Sequence, residues 1–186
     1  YTGSNILISN NNITTGSISV QGSSGGTNNT IINNFADELS TSGDNEIYDN
    51  LFSNNIVYTT VNLGWSSSND TNNTFLNNNL SSVTIIDISN PAFSNYFVYN
   101  NSFGEIKWYL GNFSTVGNVN LEIGTNVYVE NNTLGFLSSA AFVNFNTSAE
   151  LKYYGLNWTN ATAQFCDGNN ANPSNCLSCN SAINCS

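Results

Sequence analysis

The sequence predicts an all-β chain built as a β-solenoid, a stack of short parallel strands closed by a small disulfide-bonded C-terminal β cap. Three observations carry this: a short Asn-centred phrase that recurs along the chain, the absence of helical apolar spacing, and four cysteines gathered at the end. The phrase is apolar, any residue, Asn or Asp, Asn, any residue, apolar. Its copies include ISNNNI at 8–13, IINNFA at 31–36, IYDNLF at 47–52, FLNNNL at 75–80, VYNNSF at 98–103 and VENNTL at 129–134.

Each copy reads as a strand that turns sharply and continues into another strand. Asn suits such a corner because it tolerates the left-handed backbone region and bonds readily to nearby backbone. The starts at Ile8, Ile31, Ile47, Phe75, Val98 and Val129 are 23, 16, 28, 23 and 31 residues apart. A coil of roughly 20–25 residues returning to one corner is what a solenoid requires. Stacked at about 4.8 Å, equivalent amides can bond along the axis. The expected ladder is Asn10, Asn33, Asp49, Asn77, Asn100 and Asn131 at one corner. The interval of 16 is short for a full coil, and that of 28 contains GWSSSNDT, 64–71, which reads as a loop.

After Phe103 the texture changes to alternating stretches, EIKWYL, NVNLEI, NVYVE, AFVNFN and AELKYYGL, which read as strands of period two. The solenoid is expected over residues 1–135 and a β-rich cap with a Cys-rich tail over 136–186. A cap is needed because an uncovered last coil invites aggregation.

The repeated phrase resembles the right-handed parallel β-helix superfamily, which includes pectate lyases and Asn-rich surface proteins of archaea and bacteria. That resemblance implies a right-handed coil over about residues 5–135. It says little about activity, since the superfamily holds lyases, hydrolases, adhesins and non-catalytic surface proteins.

Twelve acidic side chains against Lys107 and Lys152 give a net charge of −10, with no His. Such a surface repels a phosphate backbone, so no nucleic-acid partner is expected. No run of about 18 apolar residues exists, so no membrane-spanning helix is expected. Without a leader pattern the chain reads as a mature or excised segment. Apolar content of 39%, 12% of residues being aromatic, is high enough for a folded core.

Sequons stand at Asn12, Asn28, Asn69, Asn72, Asn79, Asn100, Asn112, Asn131, Asn146, Asn157 and Asn160, with a marginal one at Asn184. They lead us to expect N-linked glycan and an extracellular or cell-surface location. In that compartment Cys166, Cys176, Cys179 and Cys185 form two disulfides of open connectivity, a zinc site being the alternative.

No catalytic residue and no cofactor is expected. A lyase would have only Lys107 or Lys152 as its cation. Asp37 with Glu38, and Asp44, Glu46 and Asp49, offer paired carboxylates for glycoside cleavage; the simpler reading is solvated loop acids. The oxygen-rich stretches 44–50 and 167–172 admit Ca²⁺ but match no standard ligand spacing. Tyr48, Trp65, Tyr96, Trp108, Tyr109, Tyr153, Tyr154 and Trp158 suit core packing, or sugar stacking where exposed together. The expected role is a structural glycoprotein of a surface or filament, partnered by identical subunits or other surface proteins through strand edges. A carbohydrate-binding adhesin and a carbohydrate-active enzyme are the alternatives.

Overall fold

A computed structural model describes residues 3–21, 26–42, 47–63, 70–87, 95–110, 113–114, 119–125, 127–131, 133–136, 149–155, 164–165 and 177–178. Among these there is no helix. The chain is a β-solenoid. Each coil carries a short strand and then a long one, separated by a corner: β1 (Leu7–Ser9) and β2 (Asn12–Gln21), β4 (Thr30–Ile32) and β5 (Phe35–Ser42), β7 (Leu51–Ser53) and β8 (Ile56–Leu63), β9 (Thr74–Leu76) and β10 (Asn79–Asp87). A third, narrow side is made by β3 (Gly26–Thr27) and β6 (Ile47–Tyr48), with Thr71 bridging to Tyr48.

Pairing between coils is parallel. One sheet runs β1-β4-β7-β9 and on to β11 (Asn95–Asn100); the other stacks β2, β5, β8 and β10 in that order. Alternation along each strand sends every second side chain inward. Register then builds columns. Ile8, Ile31, Phe52, Phe75, Phe97 and Trp108 lie over one another. Phe52 and Phe75 stack with centroids 4.5 Å apart, and Phe75 and Phe97 at 4.9 Å. Facing them are Ala36, Val57 and Leu80, and Ile18, Leu39, Val61 and Ile85, all buried in one core.

The parallel stack reaches β11, after which pairing becomes antiparallel. β12 (Gly104–Leu110) pairs with β11, and β17 (Ala149–Tyr153) pairs with β12, closing a seven-stranded sheet. β13 (Phe113–Ser114) and β14 (Val119–Leu121) lie antiparallel on β10. β15 (Val127–Glu130) and β16 (Thr133–Phe136) form a hairpin, and β18 (Gln164–Phe165) pairs with β19 (Leu177–Ser178). Residues 149–153, placed by sequence in the cap, thus extend a sheet of the solenoid. Gly104 is required at that junction: a Cβ there would lie 2.4 Å from the Lys152 carbonyl oxygen.

Candidate functional site

The recurring amides are the feature most in need of a role, and the structure divides them into two corners. Asn5, Asn28, Asp49 and Asn72 turn the chain into the short strands with φ of 61°, 54°, 57° and 57°. Asn10, Asn33, Asn54 and Asn77 turn it into the long strands with φ of 59°, 57°, 52° and 51°. This is the left-handed region, where Asn and Asp are enriched among non-glycine residues.

The two corners lie five residues apart in every coil, which explains the irregular intervals. Equivalent amides repeat at separations of 23, 21 and 23 residues. A step from the second corner to the first corner of the next coil loses five, giving 16; the reverse step gains five, giving 28. Asp49 therefore belongs to the corner of Asn28 and Asn72, not to that of Asn10, Asn33 and Asn77. Asn131 stands in the turn of the antiparallel β15–β16 hairpin, not at a corner between parallel coils. Asn100 does meet Asn77: its backbone N–H donates to Asn77 Oδ1 at 2.8 Å, and Asn77 Nδ2 donates to Asn100 Oδ1 at 3.1 Å.

The hydrogen-bonded columns are formed by the residue after each corner. The left-handed residue reverses the chain, and its successor points inward. In one column Asn11 Nδ2 donates to Asn34 Oδ1, Asn34 to Asn55, and Asn55 to Asn78, at 3.0, 3.1 and 3.0 Å. In the other, Asn50 Nδ2 donates to Asn73 Oδ1 at 2.8 Å and Asn73 to Asn95 at 2.9 Å, while the Asn29 backbone N–H donates to Asn50 Oδ1 at 3.0 Å.

Each Nδ2 also donates to a carbonyl of the preceding coil: Asn34 to Ile8, Asn55 to Ile31, Asn78 to Phe52, Asn50 to Gly26 and Asn73 to Ile47, at 2.9–3.0 Å. A buried amide is saturated when both its protons are donated and its oxygen accepts twice. That pairing, complete for Asn34, Asn55 and Asn73 and with at least one bond donated and one accepted at Asn29, Asn50, Asn78 and Asn95, is what permits all seven to be buried. The signal was present in the sequence: Asx-Asn pairs five residues apart at 28–29 and 33–34, 49–50 and 54–55, 72–73 and 77–78, and a further copy of the phrase, FSNNIV at 52–57.

The other expected sites are placed as follows. Asn12, Asn28, Asn72 and Asn131 are exposed, whereas Asn79 and Asn100 are half-buried. Asn79 Nδ2 reaches Glu122 Oε1 at 3.4 Å. Asn69, Asn112, Asn146, Asn157, Asn160, Cys166, Cys176, Cys179 and Cys185 lie outside the described residues, as do Asp44, Glu46, Trp65 and Trp158. Asp37 Oδ2 accepts the Gly16 N–H at 3.1 Å, and Asp49 accepts from Asn72 Nδ2. Asn50, within the 44–50 stretch considered for Ca²⁺, is a rung of the buried column. The described residues hold no group of three or more His, Cys, Asp or Glu that could take a metal ion.

Both lysines sit on the outward face of β11, β12 and β17. Lys107 Nζ lies 4.0 Å from the Tyr96 ring centroid and 5.1 Å from that of Tyr109. Lys152 Nζ is 3.2 Å from both Glu105 and Glu150. The Tyr109 hydroxyl donates to Glu150 at 2.8 Å. These contacts hold the Glu150 carboxyl below its usual range, the Tyr109 bond first, and raise Lys152 above its own, the Glu150 bond first. Trp108 is buried, while Tyr48, Tyr109, Tyr153 and Tyr154 are exposed.

No protein-family model matches the chain, and neither a curated protein nor a solved structure matches it.

Proposed function

We propose that the chain is a non-catalytic structural glycoprotein of a cell surface or filament, exported and assembling through the edges of its strands. The observation that carries this reading is the use of its repeated polar side chains. The Asn residues that mark every coil bond to the chain itself, rung upon rung, and so serve the stack rather than a ligand. The exposed sequon amides at Asn12, Asn28, Asn72 and Asn131 support glycan on its surface. Electron microscopy of the native material tests it: fibres, a lattice or a surface coat are expected, and dispersed single particles at every concentration would overturn it.

The second reading is a carbohydrate-binding adhesin. It is favoured by the exposure of Tyr109, Tyr153 and Tyr154 around one sheet end. Aromatic faces stack on sugars, but Lys107 already covers one face of Tyr96. Binding to a glycan array, lost in Tyr109→Ala and Tyr154→Ala, would favour it over the structural reading.

A further inference from the structure

We infer that Asn28 and Asn72 carry N-linked glycans, set as a row along one corner of the solenoid, while the sequons at Asn79 and Asn100 stay bare. This deepens the glycoprotein reading and rests on it.

Eight Asx residues turn the two corners: Asn5, Asn28, Asp49 and Asn72 at the first, Asn10, Asn33, Asn54 and Asn77 at the second. Only Asn28 and Asn72 among them open a sequon, NNT at 28–30 and at 72–74. At the second corner the place of the hydroxyl is taken by Asn12, Phe35, Ile56 and Asn79, so no corner residue there is an acceptor. At the first, Leu7, Thr30, Leu51 and Thr74 share one outward register, so the hydroxyl alternates with Leu from coil to coil. The two acceptor coils are thus separated by the coil of Asp49. Neighbouring coils lie about 4.8 Å apart, too close for hydrated sugar rings to sit side by side. The intervening coil doubles that to about 10 Å.

The local conformation presents both amides. With φ of 54° and 57°, Asn28 and Asn72 turn out to solvent, while the middle residue of each sequon, Asn29 or Asn73, is a buried rung that holds the corner in place. Transfer forms a bond between sugar C1 and Nδ2 and breaks the C1–O bond of an activated glycosyl phosphate. The phosphate leaves with the electron pair, and one Nδ2 proton passes to a base of the transferase. The second Nδ2 proton remains. At Asn72 it suffices for the bond that Nδ2 donates to Asp49 Oδ1, so sugar and corner contact are compatible.

Asn79 and Asn100 are placed differently. Each is half-buried in a strand with a partner on both sides, β10 between β8 and β14, and β11 between β9 and β12. Asn79 Nδ2 faces Glu122, and Asn100 Oδ1 accepts from Asn77 Nδ2. A glycan at either must displace packed neighbours. Exposed Asn12 and Asn131, at the start of β2 and in a hairpin turn, lie outside the row.

The test is glycopeptide mass spectrometry of the native protein, with electron-transfer fragmentation to assign each Asn. Glycan at Asn28 and Asn72, and bare peptide at Asn79 and Asn100, are expected. Full-length variants secreted by a glycosylating cell check the assignment: Thr30→Ala and Thr74→Ala should each remove the mass of one glycan, and Thr30→Ser and Thr74→Ser should retain it. Bare Asn28 and Asn72 with glycan at other sequons would overturn the row and leave the glycoprotein reading standing. Sugar at no sequon would overturn both. Glycan at Asn79 or Asn100 in folded protein would refute their exclusion by packing. Where an Ala variant is not secreted, occupancy of Asn28 and Asn72 in the native protein decides.

Discussion

Replacing Asn55 by Ala removes the centre of the longer amide column. Its side chain accepts from the Asn34 backbone N–H at 2.9 Å and from Asn34 Nδ2 at 3.1 Å. It donates to the Ile31 carbonyl and to Asn78 Oδ1, both at 3.0 Å. Asn55 and Asn34 are buried, so the groups left behind cannot turn to water. At about 1 kcal/mol net for each bond, and more where a buried donor is orphaned, the loss is about 4 kcal/mol or greater. That is a large share of the 5–15 kcal/mol typical of a whole domain. Asn11→Ala is the matched control. It removes bonds to the Ser9 carbonyl and Asn34 Oδ1 from an exposed side chain that water replaces, and should cost under about 1 kcal/mol. Urea denaturation of the three proteins gives the difference, with slopes expected to agree. Equal losses for Asn55→Ala and Asn11→Ala would refute the claim that the interior amides hold the coils together.

Corner geometry gives another test: Asn33→Gly should be near neutral, and Asn33→Val should cost about 1–2 kcal/mol because φ is 57° there, as read from denaturant midpoints. Phe75→Ala, in the middle of the Phe52–Phe75–Phe97 stack, should cost about 3–5 kcal/mol by the same measurement. Glu150 should titrate below the ordinary carboxylate range, and Tyr109→Phe should raise it, as followed by carboxyl carbon NMR. Because its folded pKa is depressed, its stabilising contribution is present above the unfolded value of about 4.3 and disappears as pH falls through the folded one. For Lys152, whose folded pKa is raised, the contribution is present below about 10.4 and is lost as pH rises through the folded value.

The solenoid was legible because its corners are written in residues that few other structures place so regularly. Asx-Asn pairs recur at the coil length, and Ile31, Phe52 and Phe75 fall at matching positions before or between them. The phase of the amide column was not legible. Of two adjacent Asn, local preference does not say which takes the left-handed conformation and which turns inward; burial decides, and it depends on the neighbouring coils. Asp49 was misassigned to the column of Asn33 for a related reason. A phrase demanding an apolar first residue skips the corners beginning at Gly26 and Asp70, so the first corner was sampled only once. Thr71, expected in a loop, pairs with Tyr48 on the narrow third side. The antiparallel close of the stack was hidden too, since β12 alternates in the same way whether its neighbour runs with it or against it. Sequons mark where glycan can be attached, but only packing separates exposed Asn28 from half-buried Asn100.

The most direct test of the account is hydrogen exchange at the Asn side-chain amides, resolved by NMR. The columns predict that the Nδ2 protons of Asn34, Asn50, Asn55 and Asn73 exchange as slowly as the backbone amides of the strands beside them, while those of exposed Asn12 and Asn28 exchange at the rate of free amides. Uniformly fast exchange at all of these side chains would contradict a stack held by its amides.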